Sequence, residues 1–118
     1  MKTEIKKMGD AIVVSVEGKL NFETNEPFRK DLGKLIDRTK TDSVPKRIIF
    51  DLENLDFVGS SGITGFVQTL KDFNDRVDLK PKYAAVKSEF KKVIKAMDET
   101  AGFEFYEDKV EARKSWDN

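Results

Sequence analysis

Apolar residues recur along this chain at two different spacings, and the two predict different elements. Thr3 to Lys7 and Ala11 to Glu17 have the character of strands, joined by Met8-Gly9-Asp10, a Gly-Asp turn of hairpin type. In the second of these, Ile12, Val14 and Val16 mark one buried face and Val13 adds apolar cover on the other. Gly18 to Phe22 then crosses into a first helix, with Thr24 or Asn25 as its cap and Pro27 in the first turn, where no backbone donor is needed. Phe28, Leu32, Leu35 and Ile36 fall on a single stripe of that helix.

Thr41 to Pro45 reads as a polar loop, and Arg47 to Leu52 as the central strand, because Ile48-Ile49-Phe50 is the continuous apolar run of a strand buried on both faces. Helical spacing resumes with Ile63, Phe66, Val67, Leu70 and Phe73. Asn74-Asp75-Arg76 and the Pro81 region read as a connector, and Tyr83 to Val86 as a short strand. Ser88 is the expected cap of a third helix, with Phe90, Val93, Ile94, Met97 and Ala101 on its stripe and Gly102 as its stop. Phe103 to Tyr106 is the expected last strand, and Lys109 to Asn118 a short helix with Val110 and Trp116 packing back. Strands alternating with helices predict an α/β layer fold with a mixed sheet. Right-handed crossovers put the amino end of the second helix at the rim, beyond the carboxyl ends of the strands, where ligands and partners usually meet such sheets.

The bulk numbers narrow the chemistry. A chain of 118 residues has the length of one domain and buries roughly two-thirds of the surface that its unfolded form exposes. Twenty-two basic residues against 22 acidic ones leave no net charge, which argues against binding a nucleic-acid backbone. Lys80, Lys82, Lys87, Lys91, Lys92 and Lys95 read as a solvated face. No cysteine is present, so disulfides and thiol chemistry are excluded, and no histidine, the commonest general base and metal ligand near neutral pH. Met1-Lys-Thr-Glu-Ile lacks an apolar signal core, and no apolar run approaches the ~20 residues of a membrane span, so a cytoplasmic protein with no membrane association is expected.

Asp51, Glu53 and Asp56 have no defined ligand geometry and read as a solvated acidic rim, not a metal site or an acid/base pair. Gly59-Ser60-Ser61-Gly62-Ile63 has Ile63 where a nucleophile elbow needs glycine, and no histidine completes a triad. Gly59, Gly62 and Gly65 are spaced by three, unlike the dinucleotide fingerprint, and no Gly-Lys-Ser/Thr marks a phosphate-binding loop. Neither catalysis nor a cofactor or metal is expected.

Asp51 to Ile63 is the most informative stretch: a strand that stops, a short loop, and a small-residue turn feeding a helix. Ser60 and Ser61 stand at the amino end of that helix, where exposed N–H groups and the helix dipole favour negative charge. One of two adjacent serines can cap the helix, which leaves the other hydroxyl free. Gly59 and Gly62 remove side chains on both sides and let a partner approach closely. Phe57 reads as a core anchor under the loop, and Phe22 as either core or partner contact.

The pattern resembles the STAS domains of anti-sigma factor antagonists. Gly18-Lys19-Leu20-Asn21 looks like the family's Gly-x-Leu-Asp segment, and Val58-Gly59-Ser60-Ser61-Gly62-Ile63 like its phosphorylation loop. Two positions depart from the family pattern, with Asn21 and Gly59 each standing where an aspartate is typical. The resemblance implies a single STAS domain over residues 1–118, a mixed sheet of four to five strands with helices packed mainly on one side, and Ser61 as phosphoacceptor in preference to Ser60. It further implies a partner surface of Asn21, Phe22, Phe57, Gly59, Ser60, Ser61, Gly62, Ile63 and Thr64. The expected partner is an anti-sigma factor with an ATPase-type serine kinase fold, reset by a serine phosphatase, in a bacterial partner-switching pathway. The alternative is a constitutive accessory subunit of a lipid-transport ABC system, or a stressosome-like scaffold.

Overall fold

Gly9 takes φ 62, a left-handed conformation that costs glycine nothing, and so folds β1 (Lys2–Met8) back on β2 (Ala11–Leu20). The computed structural model describes residues 2–39, 47–57, 62–77, 79–98 and 102–117, apart from the side chains of Phe22, Thr39 and Phe57. After β2 come a 3-10 turn (Phe22–Thr24), α1 (Asn25–Thr39), β3 (Arg47–Asp51), β4 (Leu55–Phe57) and α2 (Ile63–Arg76). β5 (Lys82–Ala84), α3 (Ser88–Met97), β6 (Glu104–Tyr106), α4 (Lys109–Lys114) and a closing 3-10 turn (Ser115–Asp117) complete the order. The sheet runs β1-β2-β3-β5-β6, antiparallel between the first pair and parallel thereafter, and β4 adds a short parallel pair to the far end of β2.

Alternation along the strands sends residues to two apolar layers. Val14, Val16, Ile48, Phe50 and Tyr83 meet the predicted stripes of α1 and α2, together with Phe90 and Ile94 of α3, in one large core. Ala11, Val13, Ile49 and Ala84 meet Ala112 of α4 on the opposite face. Three helices therefore cover one face of a mixed sheet and a single short helix the other. Inside the main core Phe50 stacks on Tyr83 and meets Phe73 edge-on, with both centroid distances 5.2 Å. The Tyr83 hydroxyl donates to Asn74 Oδ1 at 2.7 Å, and Asn74 Nδ2 donates to the Gly102 carbonyl at 3.3 Å. Burial pushes the Tyr83 phenol well above its ordinary value, opposed in part by the Asn74 hydrogen bond. Among the described residues no helix is long and apolar enough to cross a membrane.

Several expectations need correction. Asn74, Asp75 and Arg76 continue α2 and do not form a connector, because nothing stops the helix before Val77 turns extended. The strand expected at Tyr83 to Val86 runs from Lys82 to Ala84, and Ala85 leaves it at φ 57. Ser88 does not cap α3: Lys87 is the N-cap, and its carbonyl accepts from Lys91 N–H at 2.8 Å. Gly102 does not end that helix either. Asp98 does, through a carboxylate that accepts from Gly102 N–H at 3.1 Å and Phe103 N–H at 3.2 Å. Ala101 and the loop from Thr41 to Pro45 lie outside the described residues.

Val110 does not pack back, being 48% exposed; Ala112 fills that role beside Trp116. Lys82 is not on a solvated face but is 6% exposed, with Nζ 4.6 Å from the Trp116 ring centre and 4.9 Å from that of Tyr106. Its ammonium donates to Tyr106 Oη at 3.2 Å and to Ser115 Oγ. A buried lysine found partners in two rings and two hydroxyls, which no spacing rule in the sequence reveals.

Candidate functional site

β2 and β4 end side by side. Gly18 faces Leu55, Lys19 faces Asp56 and Leu20 faces Phe57 in a parallel pair, fastened by Gly18 N–H to the Asn54 carbonyl at 3.1 Å. Gly18 sits at φ 107, a conformation that a side chain would strain. From this shared end, β2 leads to Asn21 and the 3-10 turn, and β4 leads through residues 58–61 to α2. The loop with Val58, Gly59, Ser60 and Ser61 lies outside the described residues, as do the side chains of Phe22 and Phe57. Its two anchors are described.

The first anchor is Asn21. Its backbone is extended, and its Oδ1 accepts from Glu23 N–H at 2.9 Å and from Thr24 N–H at 3.1 Å, while Asn21 N–H donates to Thr24 Oγ1 at 3.0 Å. This is a reciprocal capping box. The cap is therefore Asn21, in place of the expected Thr24 or Asn25, because a 3-10 turn precedes α1 and moves the start of helical structure forward. Thr24 serves as the box's return partner.

The second anchor is Gly62, the N-cap of α2. A Cβ there would lie 2.8 Å from the Asn21 carbonyl carbon, 2.9 Å from its Cα and 3.1 Å from its oxygen, so the two backbones touch. One turn on, a Cβ at Gly65 would lie 3.0 Å from Asn25 Nδ2, and Thr69 Oγ1 donates to the Gly65 carbonyl at 2.9 Å. Small residues at Gly62, Gly65 and Thr69 thus let α2 lie directly on the capped turn that opens α1. The spacing of Gly62 and Gly65, which excluded a dinucleotide fingerprint, is a packing seam.

The first turn of α2 has no acidic residue, and its N-cap has no side chain with which to satisfy the orphan N–H groups. The capping role expected of one serine thus falls to glycine. Ile63 is buried in the core, Thr64 is exposed, and Asn21 is half-buried beside Gly62. The acidic rim is spread out: Asp51 Oδ1 accepts from Glu53 N–H at 3.2 Å, and Asp56 pairs with Lys87 across from β4. Among the described residues no cluster of three or more potential metal ligands occurs. Lys87 and the strained Ala85 bring the β5–α3 connection to this same end of the sheet, a neighbour that the sequence does not announce.

The family model of the STAS domain matches residues 2–112, and the chain belongs to the STAS domain family. No curated protein matches it by sequence. Solved structures share its fold. An anti-sigma-factor antagonist (STAS) domain protein from Planctomyces limnophilus superposes with a TM-score of 0.77 at 18% identity, over 96% of this chain and 95% of that one. The anti-sigma factor antagonist SpoIIAA in its unphosphorylated form gives 0.67 at 19%, over 98% and 96%. A chain of the stressosome, a signal integration and transduction hub, gives 0.68 at 16%, over 98% and 96%.

Proposed function

We propose that this STAS domain is an anti-sigma factor antagonist that switches partners through phosphorylation of Ser61. In the unphosphorylated state it binds an anti-sigma factor of serine-kinase fold and frees a sigma factor; the kinase transfers a phosphate to Ser61, and a phosphatase removes it. The uncapped amino end of α2, seated through Gly62 on the Asn21 turn, carries this reading. It is a closely packed, electropositive helix start with two hydroxyls immediately before it in sequence. The contact surface extends from Asn21 and Phe22 through Phe57, Gly59, Ser60, Ser61 and Gly62 to Thr64; Ile63 contributes by fixing the helix from within the core.

The energetics favour release over any change of fold. A phosphate adds about −1.5 to −2 charges, and the helix dipole stabilises it by only ~0.3–1 kcal/mol. A partner's acidic group or nucleotide phosphate at ~4 Å opposes it by about 4 kcal/mol at an effective dielectric near 20. Repulsion exceeds attraction, and with about 1.4 kcal/mol per tenfold change, binding falls by two to three orders of magnitude. Asn21 in place of the family aspartate keeps the cap but removes one negative charge from beside the switch.

A pull-down from host lysate with wild type and Ser61→Asp in parallel tests the proposal. A kinase-fold anti-sigma factor captured by wild type and by Ser61→Ala, but lost with Ser61→Asp, is the expected outcome. Equal capture by Ser61→Ala and Ser61→Asp overturns the charge switch. Gly59 and Asn21 favour a second reading, a constitutive scaffold or transporter accessory subunit, for which the same partners appear with every variant.

A further inference from the structure

β1 is an edge strand. It pairs with β2 on one side, and among the described residues no strand pairs with the other. Such an edge presents a row of backbone donors and acceptors that a further strand can occupy. It also carries Ile5, which is 42% exposed and, with Val110, one of two large apolar side chains so exposed among the described residues. Ile5 is the middle residue of the seven in β1. Its cross-strand neighbour is Val14, so Ile5 shares a face with the main core, while Glu4 and Lys6 lie on the opposite face.

We propose that β1 pairs antiparallel with β1 of a second copy of this chain, about a two-fold axis through Ile5, and joins the two sheets into one. Only alternate residues of an edge strand turn their N–H and C=O outward. In a two-fold pair the outward residues of both copies have the same parity, so the axis passes through a residue and never between two. An axis through Ile5 sets Ile5 against Ile5, Glu4 against Lys6 on both sides, Thr3 against Lys7 and Lys2 against Met8. An axis through Glu4 sets Glu4 against itself and Lys2 against Lys6; one through Lys6 sets Lys6 against itself and Ile5 against Lys7. Opposed unlike charges stabilise a strand pair and like charges destabilise it. The register that uses the whole strand is therefore also the register that matches its charges and covers its exposed apolar residue.

Within one copy Glu4 already lies 3.1 Å from Lys2 and 3.6 Å from Lys6, an ordered row of charges along that face. Edge lysines ordinarily deter pairing with other chains; in this register Lys6 meets a carboxylate in its own kind. β1 covers β2 only from Ala11 to Glu17, so the end with Leu20 and Asn21 stays outside the strand pairing. One strand pair is small beside the ~1,200–2,000 Å² of a standard interface, so association is weak and depends on concentration.

Sedimentation velocity of the full chain from low micromolar to millimolar concentration tests the proposal, with circular dichroism to confirm that each variant is folded. Wild type forms a reversible dimer. Glu4→Lys sets like charges against each other twice and weakens it by about tenfold, whereas Glu4→Lys combined with Lys6→Glu restores it to within about threefold of wild type. A monomer at every concentration, or a dimer indifferent to Glu4→Lys, overturns the proposal. Because the chain has no cysteine, a single introduced thiol reads the register directly. Opposed residues have Cα atoms about 4.5–5.5 Å apart, within the disulfide range of about 4.4–6.8 Å. Ile5→Cys gives a covalent dimer on oxidation and Glu4→Cys, which faces Lys6, gives far less; equal yields, or none from Ile5→Cys, overturn the register.

Discussion

Asn21 is tied into its own turn by hydrogen bonds from its side chain and backbone to Glu23 and Thr24, and Gly62 rests on its backbone with no room for a methyl group. The two positions therefore fail differently when changed. Asn21→Ala removes the cap and costs about 1 kcal/mol, while Asn21→Asp keeps the acceptor and folds as well as wild type. Gly62→Ala, at an ordinary φ of −90, meets a purely steric obstacle and costs about 1–3 kcal/mol. Urea unfolding of the three variants separates these outcomes. At this scale the sequence was only partly legible. Asn21 was marked by a family pattern and by nothing in the local periodicity, because a cap that precedes a 3-10 turn stands too far from the first apolar residue of α1 to be read as its start.

The elements whose apolar stripes face the sheet were legible, since burial on one side writes a period into the chain. Phe28, Leu32, Leu35 and Ile36, and Ile63, Phe66, Val67, Leu70 and Phe73, are all buried as the spacing predicts. Element ends were less legible, because single side-chain contacts that leave no period in the chain decide them, some local and some distant in sequence. Asp98 stops α3 by reaching forward to Gly102 and Phe103, and Lys71 of α2 donates to the Met97 carbonyl at 3.1 Å. β4 reads in the sequence as loop, since its three residues are too few to show alternation. The α1 helix also contains an avoidable cost. Gly33 lies in its interior beside the groove between α1 and α2, of about 240 Å³, and a Cβ there meets nothing within 4 Å. Gly33→Ala stabilises the protein by about 0.5–1 kcal/mol, measured as a higher midpoint of denaturation with an unchanged slope.

Across the whole molecule, the sheet joins two layers of unequal thickness, and Tyr83 ties the thicker one together through Asn74 and Gly102. Its phenol, held protonated by burial, has a folded-state value raised above the ordinary 10. In the unfolded chain it ionises first, so the stability it contributes is present below pH about 10 and is lost as pH rises above that. Tyr83→Phe is less stable than wild type at neutral pH by about 1 kcal/mol through the lost hydrogen bond, and the difference narrows in alkali. Unfolding free energies measured from neutral pH to beyond pH about 10 show the two curves converging. The α/β class and the place of the candidate site at the carboxyl end of the strands were legible at this scale. The back layer was not: α4 is short, its one buried residue is Ala112, and the lysine beneath it looks in sequence like any solvated cation.

That back layer holds Trp116, the only tryptophan in the chain, with its indole ring against the ammonium of Lys82. Every photon of indole emission from this protein thus originates on the side of the sheet away from α1, α2 and α3. Fluorescence that shifts red while the far-ultraviolet dichroism holds reports the C-terminal segment lifting off by itself. Fluorescence and dichroism that move together report one cooperative unit, with Lys82 as the pin between the sheet and its cover.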